Sequence, residues 1–310
     1  MSSILTNNSA MVALQTLKSV NSNLGKTQDM ISTGKEIGTA KDNSAIWAIS
    51  KVMESDVQGF KAVSKSLSLG ESTVAVARMT AEKVTDDLKL IKEEIVAAQD
   101  GTVDRATLQE RVESLIKQIS SNVNSAQING VNLVNDSAST VKTADGSSDV
   151  DLNGDGTGDA DDKGIQVISA LDRSGSGVAA SKINVAAINL TTTGLVGDDG
   201  TGTTTNVALE NLDVSTADGA LKALSAIEGM INTASTAAAT FGSVQSRMET
   251  QNEFVSKLSD ALKSGIGNLV DADMEETSAR LQALQVQQQL STQSLSIANQ
   301  APQAILSLFR

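Results

Sequence analysis

The sequence predicts a mainly α fold, in which the N- and C-terminal segments pair into a long coiled-coil-like helical rod that carries a small β-rich inserted domain. Apolar residues recur at alternating steps of three and four over long stretches on both sides of the chain's middle. The 310 residues include one proline and only 2% aromatic residues, so helices meet few forced stops and the core must be mainly aliphatic. The middle of the chain, about residues 141–214, is instead rich in Gly, Ser, Thr and Asp.

The longest helix is predicted between residues 46 and 98. Only Asp56 and Gly70 interrupt its apolar seam, and a heptad repeat of this length is typical of a coiled-coil-like helix of roughly 80 Å. The sequence "QDG" at 99–101 ends it, because Gly101 suits a left-handed cap. The apolar seam consists of Ile46, Ile49, Met53, Phe60, Val63, Leu67, Val74, Ala77, Ala81, Val84, Leu88, Ile91, Ile95 and Ala98.

The helical pattern continues after this segment and returns near the C-terminus. A second helix is predicted on Leu108, Val112, Leu115, Ile119 and Ala126. The sequence "NGVNLV" at 129–134 is typical of a turn that leads into a strand. A C-terminal helix with three polar interruptions is the natural partner of the 46–98 helix. Its seam consists of Leu224, Ile227, Ile231, Ala234, Ala238, Phe241, Gln245, Met248, Asn252, Val255, Ser259 and Leu262.

Both chain ends are also predicted to be helical, and they form a candidate assembly interface. Asn21 and Gln28 lie between apolar heptad positions near the start, and residues 281–309 contain no charged residue. An uncharged helix of this kind tends to associate in water. Its glutamines are either a low-complexity tract or a polar surface inside an assembly, and the leucines favour the second. The predicted interface residues are Leu14, Leu17, Leu24, Ile31, Leu281, Leu284, Leu290, Leu295, Ile305, Leu306 and Leu308.

The middle of the chain is predicted to form a small β-rich insertion over about residues 141–214. It contains 11 of the 23 glycines within residues 141–205. Three stretches have the composition of short strands, namely "GIQVISAL" (164–171), "KINVAAINL" (182–190) and "NVALENLDV" (206–214).

The stretch "DLNGDGTGDADD" at 151–162 is similar in its spacing to an EF-hand calcium loop. Gly156 stands at position 6 of the loop, but position 12 is Asp instead of Glu, and the flanking sequences are not amphipathic helices. A solvated acidic turn is the alternative, because Asn-Gly and Asp-Gly steps are common in turns. Calcium is therefore a candidate ligand that the fold does not require. The candidate ligands are Asp151, Asn153, Asp155, Thr157 through its carbonyl, Asp159 and Asp162.

The composition argues against several classes of function. Histidine and cysteine are absent, which removes the commonest acid–base catalyst, thiol chemistry and the usual zinc ligands, so we predict that the protein is not an enzyme. The net charge of −13 argues against nucleic acid as a partner. No apolar run is long enough to cross a membrane, and the N-terminus does not have the pattern of a cleaved secretory signal.

Three stretches, in the correct order, resemble bacterial flagellins. "ISTGKEIGTAKDNSAIWAISKVMESDVQGF" (31–60) resembles the N-terminal signature, and "QINGVNLV" (127–134) resembles the turn after the N-terminal helices. "VDADMEETSARLQALQVQQQLSTQSLSIANQAPQAILSLFR" (270–310) resembles the C-terminus. The similar parts cover about residues 1–135 and 215–310.

The resemblance implies three layers. Residues 1–45 and 265–310 would form an inner helical core layer. Residues 46–140 and 215–264 would form a helical rod layer with a β-hairpin, and residues 141–214 a variable outer β-rich insertion.

The resemblance also implies a structural subunit that self-assembles into the extracellular flagellar filament used for swimming. Such subunits are exported unfolded by the flagellar type III apparatus, and their partners are other copies or other flagellins, an export chaperone, the filament cap and hook-associated proteins. The hook–filament junction protein, which shares helical termini, is an alternative that the ending "NQAPQAILSLFR" disfavours. An extracellular calcium-binding module is a second alternative, but it leaves the heptads unexplained.

Overall fold

The structure is a computed structural model that describes residues 7–135, 163–172, 179–200 and 206–308, with side chains given up to residue 300 apart from those of residues 172 and 179. Five helices account for most of these residues, and four short strands lie between the third and fourth helices. The elements are α1 (Asn8–Thr33), α2 (Ser44–Ala98), α3 (Arg105–Ser125), β1 (Gly164–Asp172), β2 (Ala179–Ala186), β3 (Val196–Asp198), β4 (Asn206–Ala208), a 3₁₀ turn (Leu209–Asn211), α4 (Ala217–Val270) and α5 (Met274–Leu308). The predicted mainly helical fold with a small β-rich insertion is confirmed.

The chain divides into two compact units. The terminal unit contains residues 1–58 and 259–310, and the central unit contains residues 59–258. Each unit therefore combines a segment from the N-terminal half with one from the C-terminal half. The three-layer division with its boundaries near residues 45, 140, 214 and 264 stays a prediction.

The core of the central unit follows the predicted seam of α2. Every apolar seam residue from Val63 to Ala98 is buried, and Phe241, Met248 and Val255 of α4 belong to the same core. The buried residues of α3 are Leu108, Val112, Ile116, Ile119 and Val123, and the C-cap residue Ala126 is buried as well. In the terminal unit the seam prediction is less accurate, since Ile49 is exposed and Val57 is buried instead.

The predicted left-handed cap at Gly101 is wrong. Gly101 does not have a positive φ. The amides of Gln99 and Asp100 instead close a tight last turn on the carbonyls of Val96 and Ala97, each at 3.2 Å. Arg105 Nε donates to the Ala98 carbonyl at 2.7 Å, so a side chain satisfies the helix end and no left-handed glycine is needed.

The turn after α3 is confirmed, but the strand expected beyond it is not formed. Asn129 and Gly130 both have positive φ, of 51° and 80°, as a two-residue hairpin turn requires. The backbones of Ile128 and Val131 exchange two hydrogen bonds across it, of 3.0 and 2.9 Å. Only this isolated bridge results, and Leu133 then accepts from the amide of Ile188.

Strands β1 and β2 form an antiparallel hairpin with a bulge between Ile168 and Ala170. Ser169 lies in this bulge, and its carbonyl accepts a hydrogen bond from Gln251 of α4 at 3.0 Å. The hairpin also packs on α2 at Gly70, where an added Cβ would lie 2.5 Å from Val167 Cγ2. Gly70, the glycine that interrupts the α2 seam, is therefore the position at which strand β1 packs against the helix.

The strand predictions in the insertion are correct for β1 and only partly correct elsewhere. The predicted strand at 182–190 begins earlier and ends at Ala186. The predicted strand at 206–214 ends at Ala208 and continues as the 3₁₀ turn, because β4 pairs over three residues only, with the unpredicted strand β3. Gly197 of β3 lies so close to the backbone of α4 that a Cβ there would overlap the Ala226 carbonyl oxygen.

Candidate assembly interface

Three caps fix the ends of the terminal helices α1 and α5. Asn7 accepts from the amide of Ala10 at 3.1 Å, as an N-cap does, and its Nδ2 donates to the Ala298 carbonyl of α5 at 2.8 Å. Gly34 ends α1 in the left-handed conformation with φ 70°. Asp273 accepts from the amides of Glu275 and Glu276 at the start of α5. The Asn7 contact ties the two helices together at one end.

Short backbone contacts tie the same two helices together at the other end. The Ala272 amide donates to the Gly34 carbonyl at 3.0 Å, and the Glu36 amide donates to the Val270 carbonyl at 2.8 Å. These contacts join the chain just after α1 to the chain just before α5. As a result α1 and α5 are antiparallel neighbours.

The inward face of this helix pair mixes apolar and small polar residues. Val20 and Thr27 of α1 and Leu284 and Ser291 of α5 are buried, and Thr27 Oγ1 donates to its own helix at Asn23. Gln288 Nε2 donates to Asn21 Oδ1 at 2.7 Å. Asn21, an interruption of the heptad in the sequence, is therefore paired with a glutamine of the opposite helix.

The predicted interface residues fall into three groups of exposure within the terminal unit. Leu284 is buried, and Leu17, Leu24, Ile31, Leu281 and Leu295 are half-buried. Leu14 and Leu290 are exposed, with 45% and 58% of their surface accessible. The side chains of Ile305, Leu306 and Leu308 lie outside the described part of the structure. The prediction therefore combines residues that hold α1 to α5 with residues whose apolar surface stays open.

The open faces of these helices carry apolar residues that the heptad pattern does not predict. Met11, Val12, Val286 and Ile297 are all more than half exposed, like Leu290. On α1 the signal lay in the adjacent Met11 and Val12, which precede Leu14 on a helix with few charges. Heptad counting follows one seam only and so missed a second apolar face.

Charge is confined to one end of the α5 sequence. Glu275, Glu276 and Arg280 lie in its first two turns, and the remaining described residues of the helix are uncharged.

Elsewhere in the terminal unit, Lys51 donates to Glu54 at 2.7 Å and holds the pKa of that carboxyl below its ordinary value. Asp42 accepts from the hydroxyl and amide of Thr39, which likewise lowers its pKa. Asp42 precedes α2, and Lys51 and Glu54 lie near its beginning. These charged residues therefore belong to neither α1 nor α5.

The candidate calcium loop, Asp151, Asn153, Asp155, Thr157, Asp159 and Asp162, lies outside the described residues. Within residues 7–135, 163–172, 179–200 and 206–308, the acidic side chains do not converge in a group that could hold a metal ion. Among the helices that the structure describes, none combines the length and hydropathy of a membrane span.

Comparison with known proteins identifies the family of the whole chain. Residues 4–139 match the model of the bacterial flagellin N-terminal helical region, and residues 224–309 match that of the bacterial flagellin C-terminal helical region. The chain is 38% identical to the flagellin FljK of Caulobacter vibrioides, over all of this chain and 99% of the relative. It is 38% identical to a flagellin of Brucella melitensis and 36% identical to flagellin C of Rhizobium meliloti, over the full length of both partners in each case. The chain therefore belongs to the bacterial flagellin family.

Proposed function

We propose that this flagellin, a structural subunit of the extracellular filament, is held in the polymer by the open apolar faces of α1 and α5. The observation that carries the proposal is the exposure of Met11, Val12 and Leu14 on one helix and of Leu290 and Ile297 on the other. Exposed apolar residues on paired helices favour contact with another protein surface. Neighbouring copies of the same chain supply that surface in a filament.

Further partners of the chain are inferred from the same family resemblance. We infer export of the unfolded chain by the flagellar type III apparatus, with a chaperone that shields the apolar terminal segments before assembly. The filament cap and hook-associated proteins contact the chain at the ends of the polymer. The calcium hypothesis for residues 151–162 also stays a prediction.

Reassembly of purified protein tests the proposed interface. Filaments are dissociated in acid, returned to neutral pH with filament seeds, and followed by electron microscopy and sedimentation. We expect Leu290→Ser to raise the critical concentration about tenfold, since burial of one leucine is worth about 1.5–3 kcal/mol. Its matched control is Leu221→Ser on α4, a leucine of nearly equal exposure, 59% against 58%.

Three outcomes would separate the hypotheses. Equal critical concentrations for the Leu290→Ser and wild-type chains would contradict the proposed interface. Running each assay in calcium and in chelator tests the acidic loop. Filaments that form only in calcium would make residues 151–162 an assembly site. Filaments that form in both conditions would make calcium dispensable.

A further inference from the structure

A polar layer joins α2 and α4 at the edge of the apolar seam, where Ser64 and Asn252 are half-buried and Ser68 is exposed. Ser64 Oγ donates to Asn252 Oδ1 at 2.7 Å, and Asn252 Nδ2 donates to Ser68 Oγ at 3.2 Å. Both ends of the amide thus face hydroxyl groups of the opposite helix. We call these three residues the serine–asparagine layer.

A second polar layer lies one heptad earlier on α4. Gln245 Oε1 accepts a hydrogen bond from Arg78 Nε at 3.0 Å. The same guanidinium contacts Glu82 Oε1 at 2.5 Å on its own helix, which restricts where the arginine can reach. We call Arg78 and Gln245 the arginine–glutamine layer.

Apart from Gly70, where Val167 packs, the buried part of the α2 seam stays apolar when α4 slides along it by one heptad. The buried α2 seam repeats Val, Leu, Ala and Ile at heptad spacing, so a slide by seven residues replaces Leu67 with Val74 and Ala77 with Val84. These exchanges change side-chain volume and so carry a packing cost, but they bury no polar group. The same slide also removes hydrogen-bond partners, because Asn252 would then face Glu71 and Ala75 in place of the two serines.

We propose that the two polar layers help to set the register with which α4 packs against α2, at some cost in stability. A polar residue at a single seam position fixes the register of a coiled coil because only one alignment satisfies its hydrogen bonds. The five residues are positioning residues: they choose the alignment of the helices. The inference concerns the folded subunit and is independent of the proposed assembly interface.

The selection matters because α2 and α4 are distant in the sequence. More than a hundred residues separate Ala98 from Ala217, so no short connection guides the two helices into alignment. A central unit with misaligned helices would bury a similar apolar area, but its exposed residues would stand in the wrong relative positions. The polar layers make such states unfavourable.

Native ion pairs report the register by zero-length carbodiimide cross-linking of the full chain after refolding from denaturant. Lys92 Nζ of α2 lies 2.5 Å from Glu228 Oε1 of α4, so this pair cross-links only in the native alignment. Lys257 and Glu253, 2.7 Å apart and four residues apart on α4, cross-link in any alignment and serve as the internal reference. Mass spectrometry gives the ratio of the two products.

The main variant removes both layers, by Ser64→Ala, Ser68→Ala, Asn252→Leu and Gln245→Leu. We expect the cross-link ratio to fall about 1.7-fold, because losing a preference of about 1 kcal/mol takes two competing alignments from about 5:1 to 1:1. Helix content should be kept and the melting temperature should be equal or higher. An unchanged ratio at native helix content would overturn the proposal.

Two further variants complete the test. Ser72→Ala with Thr250→Ala removes two hydroxyls that bond only to their own helices, and we expect the wild-type ratio. The single variant Asn252→Leu is the mildest change of the layer, and we expect a folded chain with a lowered ratio. Loss of folding in that single variant would also overturn the proposal, because the layer would then supply stability instead of selecting the register.

Discussion

Gly59 and Gly70 show how much one glycine of α2 can differ from another. Both face strand β1, but a methyl group on Gly59 would meet only the Leu171 Cδ1 atom, at 2.6 Å. A methyl group on Gly70 would meet Val167 Cγ2, Cγ1 and Cβ, at 2.5, 2.9 and 3.2 Å. Leu171 is half-buried and can rotate, whereas Val167 is buried and its β-branched side chain is stiff.

We therefore expect Gly70→Ala to destabilise the subunit by about 1–3 kcal/mol through overpacking, which exceeds the roughly 1 kcal/mol gained from helix propensity. Gly59→Ala is the matched control and should be neutral or stabilising, since the leucine methyl can move. Urea unfolding followed by circular dichroism measures both free energies. Equal effects of the two substitutions on the free energy of unfolding would contradict the close packing of Val167 against Gly70.

Asp87 is a fully buried carboxylate between α2 and α3. Its oxygens accept from Lys83 Nζ at 2.7 Å, Asn122 Nδ2 at 3.2 Å and Gln118 Nε2 at 3.5 Å. The hydrogen bond to this carboxylate raises the pKa of Lys83. No apolar pattern predicts such a residue, because the sequence alone places Asp86 and Asp87 side by side without distinguishing them.

Asp87→Ala should destabilise the subunit by roughly 1–3 kcal/mol, because the hydrogen bonds from the half-buried Asn122 and the exposed Gln118 to a charged acceptor are lost. Asp87→Asn keeps an acceptor oxygen and should cost less. The neighbouring Asp86 forms an exposed ion pair with Lys89, so Asp86→Ala should have little effect on the same urea midpoint. A shift as large for Asp86→Ala as for Asp87→Ala would count against the buried network.

At the scale of elements, the helices were predictable and the strands only partly so. The α2 seam from Val63 to Ala98 has enough repeats to define a period, and those seam positions are buried as expected. Strands β3 and β4 pair over three residues each, too few for an alternating pattern to appear in the sequence. The interface shows the same limit: Leu284 follows from the heptad, whereas the pairing of Gln288 with Asn21 depends on contact between helices that no local pattern encodes.

The uncharged surface of α5 leads to a prediction that separates two adjacent glutamines. Gln289 is exposed, whereas Gln288 is half-buried and bonded to Asn21. We hypothesise, from its lack of charge, that the exposed face of α5 lines the path of exported chains, where a fixed charge would retain them. On this hypothesis Gln289→Lys should shorten filaments without changing subunit stability. Gln288→Lys should instead weaken the pairing of α1 with α5.

Electron microscopy of filaments on cells gives their length, and circular dichroism of purified subunits gives their stability. Gln293→Ser, an uncharged exchange on the same helix, is the control for substitution as such. Filaments of normal length on cells that produce only the Gln289→Lys chain would rule out the channel hypothesis.

For the whole molecule, the charge inventory determines how stability depends on pH. Histidine is absent, so no side chain with an ordinary pKa titrates between about pH 5 and 8. Full protonation of the 37 Asp and Glu residues would change the formal net charge from −13 to +24, the number of Lys and Arg residues. Self-repulsion of this size destabilises a compact state.

Hydrogen bonds to carboxylates add to this effect in the same direction. The hydroxyl and the amide of Ser215 donate to Asp213 just before α4, and they hold the pKa of that carboxyl below its ordinary value of 3.8. The amide and, to a smaller extent, the hydroxyl of Thr102 lower the pKa of Asp100 in the same way. A carboxyl whose folded-state pKa is lowered stabilises the fold above its unfolded pKa, and this stability is lost as pH falls through the folded pKa.

We therefore expect the free energy of unfolding to be flat between about pH 5 and 8 and to fall steeply below about pH 4. Asp213→Asn should lower stability at neutral pH and make the decline below pH 4 shallower, because one carboxyl no longer titrates. Ser215→Ala, which keeps the backbone amide and removes the hydroxyl, should lie between Asp213→Asn and wild type. Urea unfolding from pH 2 to pH 8 measures all three chains, and a wild-type transition centred between pH 5 and 8 would contradict control by ordinary carboxylates. Because the same carboxylates titrate in the polymer, filaments should dissociate in that acid range and reassemble when the pH is restored.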